Sequence, residues 1–207
     1  MKMNELIDKV AERVNSELSN TFEIEASGRH IHLSQEAVDV LFGEGYKLTP
    51  MKYLSQPGQF ASQERVTIVG PKGVLHNVSI LGPVRKETQV EISFTDARPL
   101  GVRAPLKLSG DIDGSPGIVL MNGSRTYSIN EGVIVAKRHI HVNDKDAEQL
   151  GVVDQEVVKV KVLSGRPLIF DDVVVRISPK FRTFMHIDYD EANACGFTKG
   201  TRGKIIR

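Results

Sequence analysis

The 207-residue sequence holds a single cysteine, Cys195, so no intrachain disulfide can staple the fold. It also lacks an apolar run approaching the roughly 20 residues that a membrane-spanning helix requires. Excess charge is missing too, since 27 Lys+Arg against 26 Asp+Glu leave a net charge of +1. That balance removes the electrostatic footprint of a nucleic-acid or anionic-membrane binder. The opening residues carry Glu5, Asp8, Glu12 and Glu17 where a signal peptide needs an uninterrupted apolar core. Together these absences predict a soluble, cytoplasmic protein with no nucleic-acid and no membrane partner. The length suits one large or two small domains, each able to bury a core.

What the sequence does contain is a repeated phrase. Arg29-His30-Ile31-His32-Leu33-Ser34 returns as Arg138-His139-Ile140-His141-Val142-Asn143, and the pair uses four of the six histidines. Alternate residues of a β-strand point to one face, so each His-x-His would aim both imidazoles at a shared ion. Histidine is the commonest metal ligand, and two such pairs suggest two metal sites. The repeat reaches further than the histidines. Ser34 and Asn143 can each N-cap a short helix, one ending before Gly43 and the other before Gly151. A third version appears at His186-Ile187-Asp188, with Asp190 at the capping position and Gly196 at the end of the turn. In this reading a strand delivers its polar pair to the end of a sheet and a short helix follows at once.

Met3, Leu6, Ile7, Val10, Val14 and Leu18 recur at helical spacing, which predicts an N-terminal amphipathic helix over residues 1–20. Beyond it come short β-rich stretches punctuated by Gly and Pro. Val66–Val69 and Val74–Ile80, joined by Gly70-Pro71-Lys72-Gly73, read as a hairpin. Further strands are expected at 89–94, 118–121, 132–142, 157–163, 168–177 and 183–188. The predicted fold class is therefore mainly β, with two small related β-barrels, short capping helices and the N-terminal amphipathic helix.

Other residues have plainer readings. In Gln89-Val90-Glu91-Ile92-Ser93, alternation puts Glu91 on the polar face, where it points either into a cleft or, as the pattern alone favours, into solvent. Leu81-Gly82-Pro83-Val84-Arg85 sets an arginine on a turn, a setting for a fork-shaped anion donor or for simple solvation. His76 reads as an ordinary hairpin histidine and Cys195 as structural. No Ser/His or Cys/His arrangement suggests a covalent nucleophile.

Four motifs in order resemble the propanediol-utilisation-type phosphotransacylases, or phosphate propanoyltransferases: Gly-Arg-His-Ile-His-Leu-Ser at 28–34, Leu-Gly-Pro-x-Arg-x-x-Thr-Gln-Val-Glu-Ile-Ser at 81–93, Arg-His-Ile-His at 138–141 and Met-His-Ile-Asp-x-Asp-Glu-Ala-Asn-Ala at 185–194. Cys195 departs from the pattern, which has a small residue such as alanine there. The resemblance implies an acyltransferase that interconverts a short-chain acyl-CoA, propanoyl-CoA or acetyl-CoA, plus phosphate with acyl phosphate plus CoA. It implies two Zn²⁺ per chain, one held by His30, His32 and Glu91 and the other by His139, His141 and His186, with Arg85 binding phosphate. It also implies an interleaved domain plan, with a central barrel over 29–136 and a second barrel over 137–207 completed by the strand at about 21–28. A homodimer is expected, and residues 1–20 would address the chain to the lumen of a bacterial microcompartment used in propanediol degradation.

Two other readings compete. His30-x-His32 followed by Glu36 has the first-motif spacing of a cupin-type metal oxygenase, although Glu36 falls in the first turn of the predicted helix. A metal-stabilised, non-enzymatic module would instead hold its ions in closed four-ligand sites.

Overall fold

The computed structural model describes residues 20–207 together with Met3, Ile7 and Lys9. The helix expected over residues 1–20 otherwise lies outside the described residues. The elements described in full begin with β1 (Thr21–Ser27), then run through β2 (His30–His32), α1 (Gln35–Phe42), β3 (Pro50–Tyr53), β4 (Phe60–Val69), β5 (Val74–Gly82), β6 (Gln89–Glu91), α2 (Phe94–Leu100), β7 (Leu106–Lys107), β8 (Ile118–Asn122), β9 (Arg125–Ile129) and β10 (Val133–Ala136). They continue with β11 (His139–Val142), α3 (Asp144–Leu150), β12 (Val157–Leu163), β13 (Ile169–Ile177), β14 (Phe184–Asp188), α4 (Tyr189–Ala194) and β15 (Arg202–Ile206). The mainly-β class expected from the sequence is what the chain adopts.

Two compact units divide it: a central unit of Ala26–Arg138 with Ile187–Asn193, and a barrel unit of the chain up to Glu25, His139–His186 and Ala194–Arg207. The central unit is organised on a nine-stranded half-barrel sheet in the order β7-β10-β6-β2-β5-β4-β8-β9, with β3 added alongside β4. Its core gathers Ile31, Leu33, Leu41, Ile68, Ile80 and Leu120, all fully buried. The expected hairpin is β4 and β5, closed where the Gly70 amide donates to the Gly73 carbonyl at 2.8 Å. In the barrel unit the strands form a closed barrel in the order β1-β14-β11-β13-β12-β15. Strict alternation along β12 turns Val158, Val160 and Val162 inward and leaves Val157, Lys159, Lys161 and Leu163 outside.

The two histidine-linked helices obey their caps. The Ser34 hydroxyl accepts from the Ala37 amide and Gly43 ends α1, while the Asn143 side chain accepts from the Lys145 amide and Gly151 ends α3 in the left-handed conformation that glycine favours. The third helix starts earlier than the sequence suggested. Asp188, rather than Asp190, accepts from the Glu191 amide, and Glu191 accepts from the Asp188 amide in return. Asp190 instead accepts from the Thr95 amide. Two expected strands are also cut short. Residues 89–94 end at Glu91 because Ser93 and Asp96 form a capping box that starts α2, and 132–142 splits into β10 and β11, which belong to different sheets.

Candidate metal centres

Both His-x-His strands sit in equivalent frames. β2 lies between antiparallel β6 and parallel β5, and β11 lies between antiparallel β14 and parallel β13. Residues directly opposite on neighbouring strands share a face. Register therefore brings Glu91 against His30 and His186 against His139. The period of two adds His32 and His141 to those faces. Within each resulting trio the potential ligand atoms all lie within 4.8 Å of one another.

In the central unit, His30, His32 and Glu91 are buried to 6%, 4% and 8% exposure. Glu91 thus lies in the cluster and not in solvent, because β6 is an interior strand flanked by β2 and β10. Its Oε2 stands 3.4 Å from His30 Nε2 and its Oε1 3.7 Å from His32 Nε2. Those gaps exceed a good hydrogen bond. They approach the about 3.4 Å that separates two donors each ~2.1 Å from a tetrahedral ion. The His30 Nδ1 donates to the Gly28 carbonyl at 2.8 Å, which turns Nε2 toward the cluster.

Burial drives the His32 pKa down to about 3, with the charge of His30 acting in the same direction, so this imidazole is neutral at pH 7. Burial also disfavours the charged forms of His30 and Glu91, but each stabilises the other. The pKa of His30 is raised, and that of Glu91 is held well below the usual carboxylate range. A divalent cation bound here would compete with protons for these ligand atoms.

Arg85 is fixed nearby by its backbone, whose amide donates to the Leu33 carbonyl at 2.8 Å. Its Nη1 donates to Ser109 Oγ at 3.2 Å, and Ser109 Oγ donates to Glu91 Oε1 at 2.7 Å. With His32, Pro57, Gly58, Gln59 and Pro83, Arg85 lines a cavity of about 310 Å³. An arginine that the turn pattern allowed to be solvated therefore faces the same space as a cluster histidine.

The barrel unit presents three imidazoles. Ring centroids are 4.6 Å apart for His139 and His141, 4.9 Å for His141 and His186 and 5.2 Å for His139 and His186. Burial pushes the His141 pKa down to about 3, aided by the charges of His139 and Arg176. Its buried Nδ1 has no hydrogen-bond partner among the described residues. A neutral, unpartnered imidazole nitrogen in a histidine cluster has the electronic character a metal ligand needs. Phe181 packs on the His141 ring at 4.1 Å, held in place by the Asn143 amide, which donates to the Phe181 carbonyl at 2.8 Å. Glu25 Oε2 lies 3.8 Å from His186 Nδ1.

The residues present fit zinc. Imidazole and carboxylate are its usual nitrogen and oxygen donors, and three candidate ligands in each cluster would leave a coordination position open for substrate or water. Glu36 is exposed in the first turn of α1 and joins neither cluster, which removes the cupin-type ligand set. Cys195 is fully buried and outside both clusters, and His76 makes a 3.3 Å contact with Thr67 across the hairpin and belongs to neither cluster. The sequence reading missed Ser109. No local pattern marks it, because its partners Arg85 and Glu91 lie 24 and 18 residues away. No helix among the described residues is long and apolar enough to cross a membrane.

The family model for phosphate propanoyltransferase matches residues 23–198. The chain is 60% identical to the phosphate propanoyltransferase of Listeria monocytogenes and 58% identical to that of Enterococcus faecalis, in each case over 99% of this chain and 97% of the relative. It is 57% identical to that of Thermotoga maritima over 87% of this chain and 86% of the relative. A family match over most of the sequence and relatives covered almost end to end establish that the chain is an acyltransferase and belongs to the phosphate propanoyltransferase family.

Proposed function

We propose that this chain interconverts a short-chain acyl-CoA, propanoyl-CoA or acetyl-CoA, plus phosphate with acyl phosphate plus CoA, by direct attack of phosphate and with one Zn²⁺ in each histidine cluster. The observation that carries the reading is Arg85, which faces the same cavity as His32 and reaches Glu91 through Ser109. Phosphate is a weak, hydrated, anionic nucleophile, so its attack on a thioester needs binding, partial desolvation and charge neutralisation together. The planar guanidinium supplies paired donors for that anion. A phosphate oxygen forms a bond to the acyl carbon, the carbon–sulfur bond breaks and the electron pair leaves on the CoA sulfur. Bound zinc would supply Lewis acidity, held by His30, His32 and Glu91 in one unit and by His139, His141 and His186 in the other. Cys195 stands outside both clusters, and the Ser109 hydroxyl beside Glu91 is engaged by that carboxylate, Gln89 and Arg85, which supports direct transfer without an acyl-enzyme.

The test is release of free CoA thiol from propanoyl-CoA by purified, zinc-loaded protein, with and without phosphate. Strictly phosphate-dependent release is expected. Release that ignores phosphate would mean a thioesterase, and none from folded, zinc-loaded protein would favour a non-enzymatic metal module. The same reading places the enzyme as a homodimer in the cytoplasm, carried into a bacterial microcompartment by residues 1–20. That last part fails if a reporter fused to these residues stays diffuse in cells that assemble the shells.

A further inference from the structure

We propose that Gln89 and Ser109 are positioning residues that commit one oxygen of Glu91 to the protein and leave the other to the metal ion, while tying that carboxylate to Arg85. The inference rests on the reading of His30, His32 and Glu91 as a metal centre. Gln89 sits on β6 directly across from His32 and is 2% exposed, so its amide is fully removed from water. A buried amide must find partners for its donors and its acceptor. Its Nε2 donates to Glu91 Oε1 at 2.6 Å and to Ser109 Oγ at 3.1 Å, and its Oε1 accepts from the Gly110 amide at 2.8 Å. A backbone amide can only donate, so the Gly110 contact fixes which end of the Gln89 side chain faces Glu91. Ser109 Oγ in turn donates to Glu91 Oε1 at 2.7 Å and accepts from Arg85 Nη1 at 3.2 Å.

The two oxygens of Glu91 therefore differ. Oε1 receives two short, charge-assisted hydrogen bonds, while Oε2 receives neither and lies nearest His30. A terminal carboxylate torsion is broad and nearly two-fold when nothing restrains it. Without Gln89 and Ser109 the group could turn both oxygens toward an ion and fill the position that substrate needs. With them it offers one oxygen, and the hydroxyl that restrains it also orients the arginine.

The experiment titrates metal-free full-length protein with Co²⁺ alone and follows the visible d–d absorption, then measures KM for phosphate and kcat on the loaded protein. The parent should take up one Co²⁺ per cluster. Gln89→Met should weaken one of the two by about 10- to 100-fold, the range for removing a partner of a metal ligand. That same equivalent should lose band intensity as its coordination number rises, with the other unchanged. Ser109→Ala should do likewise and raise KM for phosphate more than it lowers kcat, while Ser109→Thr, which keeps the hydroxyl, should restore the parental spectrum. If the parent takes up no cobalt, the metal-centre reading falls and this inference with it. If the parent takes it up and both Gln89→Met and Ser109→Ala keep its affinity and spectrum, the positioning role alone is overturned.

Discussion

In the central unit the residue opposite the first histidine is Glu91, and in the barrel unit it is His186, although the strands around them are paired alike. A divalent ion held by two imidazoles and a carboxylate keeps a single positive charge, whereas three neutral imidazoles leave both charges unanswered. The surroundings follow that difference. Around Glu91 the protein supplies donors, from Gln89, Ser109 and, through Ser109, Arg85. Around His141 it supplies the Phe181 ring and leaves Nδ1 without a partner among the described residues. One strand frame thus carries two different third residues, and under the proposed metal reading the first centre would hold one compensating carboxylate among its ligands while the second would hold none.

The strongest way to break this comparison is to remove one histidine at a time. His30→Ala and His139→Ala should each reduce bound metal from two equivalents to one and abolish phosphate-dependent turnover, measured by elemental analysis and thiol release. Loss of both ions from either variant would mean that the clusters are not separate. The arginines sharpen it next. Arg85→Ala should cost about 10²-fold or more in kcat/KM for phosphate, the scale of deleting one charge-stabilising donor. Arg176→Ala, beside His141 in register, should cost less.

Smaller effects should appear in the two caps. Ser34 is buried, and besides capping α1 it accepts from the Thr88 hydroxyl at 3.1 Å. Its replacement by Ala should cost about 2 kcal/mol in denaturant unfolding, and Asn143→Ala, at a more open site, about 1 kcal/mol. The Asn143 change should also loosen Phe181 and so alter metal affinity in the barrel unit only. The smallest pair concerns the isoleucine inside each His-Ile-His. Ile31 and Ile140 are both fully buried, so Ile→Val should cost about 1 kcal/mol at either position. A marked inequality would show that one strand is packed more loosely than its counterpart.

These equivalences also explain how much could be read in the chain. His30 with His32, and His139 with His141, were visible because a strand's period of two places them together without any knowledge of the fold. The helices after Ser34 and Asn143 were visible for the same local reason. Glu91 was different. Alternation correctly gave it a polar face, but whether that face met solvent or a cluster depended on β2 pairing beside it, which is a long-range fact. Only the resemblance to a family singled it out. Arg85 needed its backbone bond to Leu33, and Ser109 had no local signature at all. The third cap was misplaced by two residues because β14 runs on to Asp188, where a capping box could form with Glu191.

The closure of the barrel has a consequence for how the protein is made. β1 is joined to β15, with Thr21, Phe22 and Glu23 opposite Lys204, Gly203 and Arg202. The seam is tight, since a Cβ on Gly203 would come within 2.8 Å of Val160 and 3.0 Å of Phe22. A ribosome releases the chain from its N-terminal end, so β1 emerges early and waits while every other strand is synthesised. The strands of the central sheet, β2 to β10, are contiguous in sequence and can assemble as they appear. The barrel cannot, because its closing contact is among the longest-range in the molecule and carries the largest loop-closure cost. A truncated transcript or a protease that trims the last strand would leave the central unit with all its strands while stranding β1, so the final five-residue strand decides whether the barrel exists at all.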